Sequence, residues 1–227
     1  MSERVERALT GLLVLVAGYF VISAVRSQFK GRVSPAIAET DKPPERLQDW
    51  DALVAAGVLL GDSAAKVRVL VLSDLECPYC GRAEPAVREL LRDFGDVRYV
   101  WRHLPLTDVH PRAQLAAEAA EAAGEQGLFW AMHDQLLAHQ DQLEPDDLLR
   151  HAGEVGLDVE RFEADLRQGK GAARIAEDVE GADLSGVAGT PTFFVNGRRH
   201  HGAYDVESLS AAVRAAGARA ELASTPD

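Results

Sequence analysis

Cys77 and Cys80 are the only two cysteines in a chain of 227 residues, and they stand two residues apart in Cys77-Pro78-Tyr79-Cys80. At the start of a helix this spacing puts both sulfurs on one turn, within reach of a disulfide. The first sulfur would then be exposed beside helix N–H groups that have no partner, whose partial positive charge favours the thiolate. Cys77 is therefore expected to be the attacking or attacked sulfur. Cys80, one turn further in, is expected to be more buried and to act as the resolving thiol that expels a mixed disulfide. Pro78 suits a first helical turn because it has no donor to lose there, and Tyr79 is placed to tune the thiolate and to meet substrate. Two other readings stay open: half of a zinc site, and a pair of inert core thiols. Zinc would need ligands from among the seven histidines, none of which has the paired spacing of a finger.

Elements must hold this pair in place. From Lys66 the chain reads as a β-rich run (VRVLVLS), a helix from about Cys77-Pro78 to Phe94-Gly95, and a second run from Val97 to Trp101. That is a βαβ unit, whose strands should be parallel with a right-handed connection. A helical block follows over about 110–185: Pro111 and Glu144-Pro145 open helices, Gly124 and Gly127 interrupt Ala-rich segments, and Val159, Phe162 and Leu166, like Ala172, Ile175 and Val179, recur at helical spacing. After Gly189 the pattern returns to β, with Thr192 to Val195, the Asn196-Gly197 turn signal and Arg198 to His201 forming a hairpin. Val206, Leu209, Val213 and Ala216 line one face of a last helix. The expected order is βαβ, helical block, ββα.

Two separated motifs in this order carry a resemblance. Ser73-Asp74-Leu75-Glu76-Cys77-Pro78-Tyr79-Cys80 with Pro85 after it, and the distant Gly189-Thr190-Pro191-Thr192-Phe193-Phe194-Val195-Asn196-Gly197, look like the DsbA-like branch of the thioredoxin superfamily. So does the stretch from Trp101-Arg102-His103-Leu104-Pro105-Leu106 through His110-Pro111 to Gly127, and the similarity covers about Gly57 to Ala216. The resemblance implies an α/β thioredoxin fold with a helical insertion. It implies a redox-active Cys77–Cys80 disulfide with no cofactor, and a cis Pro191 facing the pair. It also implies that the backbone of Thr190 pairs with an extended substrate segment. One departure is visible: relatives place a buried carboxylate six residues before the first cysteine, where this chain has Val71. Asp74 and Glu76 are expected to be solvated loop acids. His103 and His110 are read as loop histidines without a catalytic part, His200-His201 as a surface pair, and Trp101, Phe129 and Trp130 as packing.

The amino terminus is of another kind. Ala8 to Val25 is an uncharged apolar run of 18 residues, close to the length that crosses hydrocarbon as a helix. It is read as an uncleaved single-pass anchor; the competing reading is a signal peptide cut after the small-x-small site Ala36-Ile37-Ala38. The expected organisation is a flank at 1–7, the anchor at 8–25, a tether at 26–48 marked by Pro35 and Pro43-Pro44, the thioredoxin-like domain at 49–219 and a tail at 220–227. Basic residues on both sides of the run do not decide orientation. Residues 1–32 carry five basic and two acidic side chains, a local +3, which leaves −15 of the net −12 to the remainder. So acidic a body excludes a nucleic-acid binder.

Together these features predict a membrane-anchored thiol–disulfide oxidoreductase acting on cysteine-containing proteins at the outer face of a cell membrane. It is expected to be an oxidase, recharged by a membrane redox partner that the resemblance implies. A reductase or isomerase kept reduced by a membrane donor is the rival within the class, and a CXXC metal-handling or redox-sensing binding protein is the rival outside it.

Overall fold

A computed structural model describes residues 46–47 and 49–219. The expected anchor at 8–25, most of the tether and the tail lie outside the described residues. Among the described residues no helix is long and apolar enough to cross a membrane.

Five strands form the sheet: β1 (Val58–Leu60), β2 (Val67–Ser73), β3 (Val97–His103), β4 (Thr192–Val195) and β5 (Arg198–Arg199), in spatial order β1-β3-β2-β4-β5. β2 and β3 are parallel, joined over helix α2 (Pro78–Asp93), and β4 runs antiparallel to β2 with Leu72 opposite Thr192. β2 is central and buried nearly throughout. Side chains alternate across a strand, so Val67, Val69 and Val71 enter one core layer and Leu70 and Leu72 the other. The first layer packs against α2 and the closing helix α8 (Val206–Ala215), through Leu90, Phe94, Leu209 and Val213. The second meets α1 (Trp50–Ala55) through Val54.

The helical insertion between β3 and β4 consists of α3 (Ala113–Gly124), α4 (Phe129–Ala138), α5 (Pro145–Glu154), α6 (Val159–Arg167) and α7 (Ala172–Leu184). Alanines 116, 119, 120, 122 and 123 of α3 are buried, and their small side chains let neighbouring helices approach closely. Helix α5 starts where Glu144-Pro145 is expected to start one, with a reciprocal capping box between Glu144 and Asp147. The insertion also supplies Asp178, whose carboxylate meets the buried guanidinium of Arg102 on β3 at 2.6 Å. Burial of each alone would be costly, and the pairing offsets it.

Three details differ from the sequence reading. β1 is an added edge strand, antiparallel to β3; its three residues are too few to show a period. β3 extends to His103, so His103 belongs to a strand and is buried, not in a solvated loop. β5 comprises only Arg198 and Arg199. The turn before it has φ of 46° at Asn196 and 81° at Gly197. Both lie in the left-handed region, as a tight hairpin turn demands.

Candidate active site

Cys77 is the N-cap of α2, extended at φ −69° and ψ 120°, with Pro78 in the first helical turn. Its carbonyl accepts from the N–H of Cys80 at 3.0 Å and of Gly81 at 3.2 Å. On the far side stands the start of β4, where the Thr190–Pro191 bond is cis. Cys77 Sγ lies 3.6 Å from the Thr190 carbonyl oxygen. The fold thus brings together Cys77, Pro78, Cys80, Thr190 and Pro191. Tyr79 projects outward at 61% exposure, and Arg82 lies 4.3 Å over its ring.

Cys77 was expected to be the exposed sulfur, yet it is 2% exposed against 3% for Cys80. The reason is the Thr190 segment, which covers the helix start from across the sheet. Burial does not erase the asymmetry of the pair. The Cys80 thiol hydrogen-bonds to Cys77, the N–H groups of Cys80 and Tyr79 add to it, and together they outweigh desolvation. The Cys77 thiol is held down at about 5. Burial pushes the Cys80 thiol up strongly, and the charge on Cys77 adds to this.

The loop before the cysteines corrects a second expectation. Asp74 is not solvated but 2% exposed. Its carboxylate accepts from Leu106 N–H at 2.9 Å, from Glu76 N–H at 2.8 Å and from His110 Nδ1 at 2.7 Å. Glu76 Oε2 accepts from Arg112 N–H at 2.5 Å. Asp74 and His110 thus serve as an internal tie between the active loop and the segment leading into α3. His103 has another partner: its Nδ1 accepts from Trp101 Nε1 at 3.3 Å, so its Nε2 faces Glu121 at 3.0 Å as donor. At the far hairpin, His200 Nε2 contacts the Ala203 carbonyl at 2.9 Å and His201 is exposed. Among the described residues, the one close grouping of possible metal-ligating side chains is Glu84, His133 and Asp134. It contains neither cysteine, and Arg88 approaches both of its acids.

Two residues whose surroundings matter were missed by the sequence reading, one on α2 and one in the site itself. Val71 is buried; the largely buried acid of α2 is instead Glu84, which meets Arg88 and lies near Asp134. Burial raises the Glu84 carboxyl from 4.5 to about 7, against the pull of Arg88. The second is Gln140, between α4 and α5, whose Nε2 donates to the carbonyls of Leu75 and Cys77. No local pattern pointed to it.

Glu84 yields a prediction. Its folded pKa is raised, so folding favours the protonated acid; the stability is intact below 4.5 and is lost as pH rises through about 7. Glu84→Gln is expected to remove this loss and to be more stable than the parent at pH 8 by about 3 kcal/mol. Denaturant unfolding at pH 4.5 and pH 8 checks it, and an equal difference at both pH values would refute it.

A dithiol at a helix start, facing the cis X-Pro bond that leads into β4, places the chain in the thioredoxin-fold class that carries redox-active CXXC centres. The family model described as Thioredoxin matches residues 54–215. A thioredoxin-like oxidoreductase from Silicibacter pomeroyi DSS-3 is 33% identical, with a TM-score of 0.67 over 73% of this chain and 96% of that one. The chain belongs to the thioredoxin family, and its architecture is DsbA-like. Oxidised BdbD of Bacillus subtilis, at 21% identity and a TM-score of 0.66 over 72% of this chain and 94% of its own, shares the fold. Among curated proteins, Na(+)/H(+) antiporter NhaA 3 of Salinispora tropica is 67% identical over 162 residues, which are 71% of this chain and 25% of that protein. The chain thus spans about a quarter of the length of the curated relatives it matches.

Proposed function

We propose that the protein oxidises cysteine pairs in exported proteins, donating the Cys77–Cys80 disulfide from the outer face of a cell membrane to which residues 8–25 anchor it. A substrate thiolate attacks Cys77 Sγ, the bond between Cys77 and Cys80 breaks, and Cys80 leaves with the electron pair and takes up a proton. A second substrate thiolate then attacks the substrate sulfur of the mixed disulfide. Cys77 departs as a thiolate, the substrate holds a disulfide, and the enzyme holds two reduced sulfurs. A membrane redox partner that accepts those two electrons restores the disulfide. Thr190 lends its backbone to the incoming segment as an added strand, beside Pro191, and Tyr79 and Pro78 shape the approach.

The observation that carries this reading is the contrast between the two sulfurs. A thiolate stabilised at Cys77 favours the reduced form and makes the disulfide a strong oxidant. A Cys80 that resists ionisation cannot readily serve as the entry sulfur. The site assignments follow from the same contrast: Cys77 exchanges with substrate and Cys80 resolves. The test is the thiol state in living cells, by acid quenching and alkylation with a mass tag. A mainly oxidised pair is expected; a mainly reduced pair would favour a reductase or isomerase fed by a membrane donor.

The match to antiporter sequences favours a narrower reading of the substrates. A domain 67% identical to this one forms a quarter of a chain named as a transporter, so membrane transport proteins belong among the partners to be sought.

A further inference from the structure

The carbonyl of Cys77 receives more than its helix requires. Besides the N–H groups of Cys80 and Gly81, the Gln140 side chain donates to it at 2.8 Å. The same Nε2 donates to the Leu75 carbonyl at 2.9 Å. A primary amide carries two N–H donors on that nitrogen, and both are used here, bridging the carbonyls on either side of Glu76. Gln140 lies 63 residues beyond Cys77 in the chain, within the helical insertion.

A second observation concerns the other side of the contact. Gly81 sits inside α2, and its φ is not in the left-handed region, so the backbone does not call for glycine. A helix interior favours alanine over glycine. A Cβ built at Gly81 would stand 2.5 Å from Gln140 Oε1 and 3.1 Å from its Cδ. The glycine leaves room for the Gln140 carboxamide.

We propose that Gln140 is a positioning residue for the redox pair: its carboxamide clamps the Leu75 and Cys77 carbonyls and so fixes the direction in which Cys77 presents its sulfur to the helix start, with Gly81 kept small to admit the clamp. The groups that favour the thiolate are the Cys80 thiol and the N–H groups of Cys80 and Tyr79. Each acts only while Cys77 holds its N-cap conformation. The insertion therefore reaches back across the fold to set the redox poise of the disulfide, whichever direction of exchange the cell uses.

The test measures the Cys77–Cys80 couple itself, in purified protein equilibrated with glutathione, together with the pH at which Cys77 alkylation is half maximal. Gln140→Ala is expected to shift the equilibrium about tenfold toward the protein disulfide, equivalent to about 30 mV more reducing, and to move the alkylation midpoint to higher pH. Gln140→Glu keeps the shape but removes both donors and should act alike. Gly81→Ala, which keeps Gln140 but displaces it, should reproduce the shift. The double variant should be no worse than either single, because both act on one contact. In the Gln140→Ala background, Gly81→Ala should raise the melting temperature, the clash being gone. An unchanged equilibrium and midpoint in a Gln140→Ala protein with native near-ultraviolet dichroism would overturn the proposal, as would additive effects of the two substitutions. Should Gln140→Ala fail to fold, Gly81→Ala decides alone, since an unmoved couple there has the same meaning.

Discussion

Replacing Cys80 with Ser leaves Cys77 covalently joined to its substrates. Cys77 can still form the mixed disulfide, while the sulfur that would expel it one turn further along α2 is absent. The adducts are expected to accumulate and to appear on non-reducing gels as bands that collapse on reduction, with turnover falling to background. Cys77→Ser should give no adducts at all. The buried Cys80 thiol is pushed far up and lies beneath the helix start, so it cannot take over as entry sulfur. Adducts in the Cys77 variant and none in the Cys80 variant would reverse the assignment of the two sulfurs. The proteins caught in the Cys80→Ser adducts are also the direct measure of whether membrane transport proteins are among the substrates.

The second large effect is in the stability of the reduced protein. The Cys77 thiol falls from 9.0 to about 5 on folding, chiefly through the hydrogen bond from Cys80. A depressed pKa adds stability that is complete above the unfolded value and is lost as pH falls through the folded one. Between pH 5 and pH 8 the reduced protein should therefore gain on its Cys77→Ser variant by an amount on the order of 4 kcal/mol. The window closes there because Cys80, shifted the opposite way, opposes folding once the unfolded thiol begins to ionise. The oxidised protein has no thiolate to stabilise and should lack the rise. Denaturant melts of reduced, oxidised and variant protein at pH 5, 6.5 and 8 measure it. Parallel curves would mean that the thiolate is not what favours the reduced state.

Much of the framework was legible in the sequence because it is written in short range. The β-rich run VRVLVLS, the proline after Cys77, the alanine-rich helical block and the Asn196-Gly197 turn each state a local preference, and the elements lie where those preferences put them. What escaped depends on partners distant in the chain. Asp74 looks like a loop acid until Leu106 and His110, 32 and 36 residues on, close over it. Cys77 looks exposed until the Thr190 segment arrives from the other end of the domain. Gln140 has no local signature because its acceptors are main-chain carbonyls 63 and 65 residues away. Glu84 reads as a surface acid on a charged helix, and it is the packing around it, with Asp134 fifty residues on, that buries it.

Cys77 and the Thr190 carbonyl that covers it are 113 residues apart. Closing so long a loop comes late in the assembly of a chain, because non-local contacts must first overcome the entropy of bringing their ends together. A domain that has formed α2 but not yet received β4 already holds the Cys80 thiol and the helix N–H groups that favour the Cys77 thiolate, while the sulfur is still uncovered. What the segment leading into β4 adds on arrival is therefore cover: it turns an open reactive sulfur into one that meets only what can pair beside Thr190.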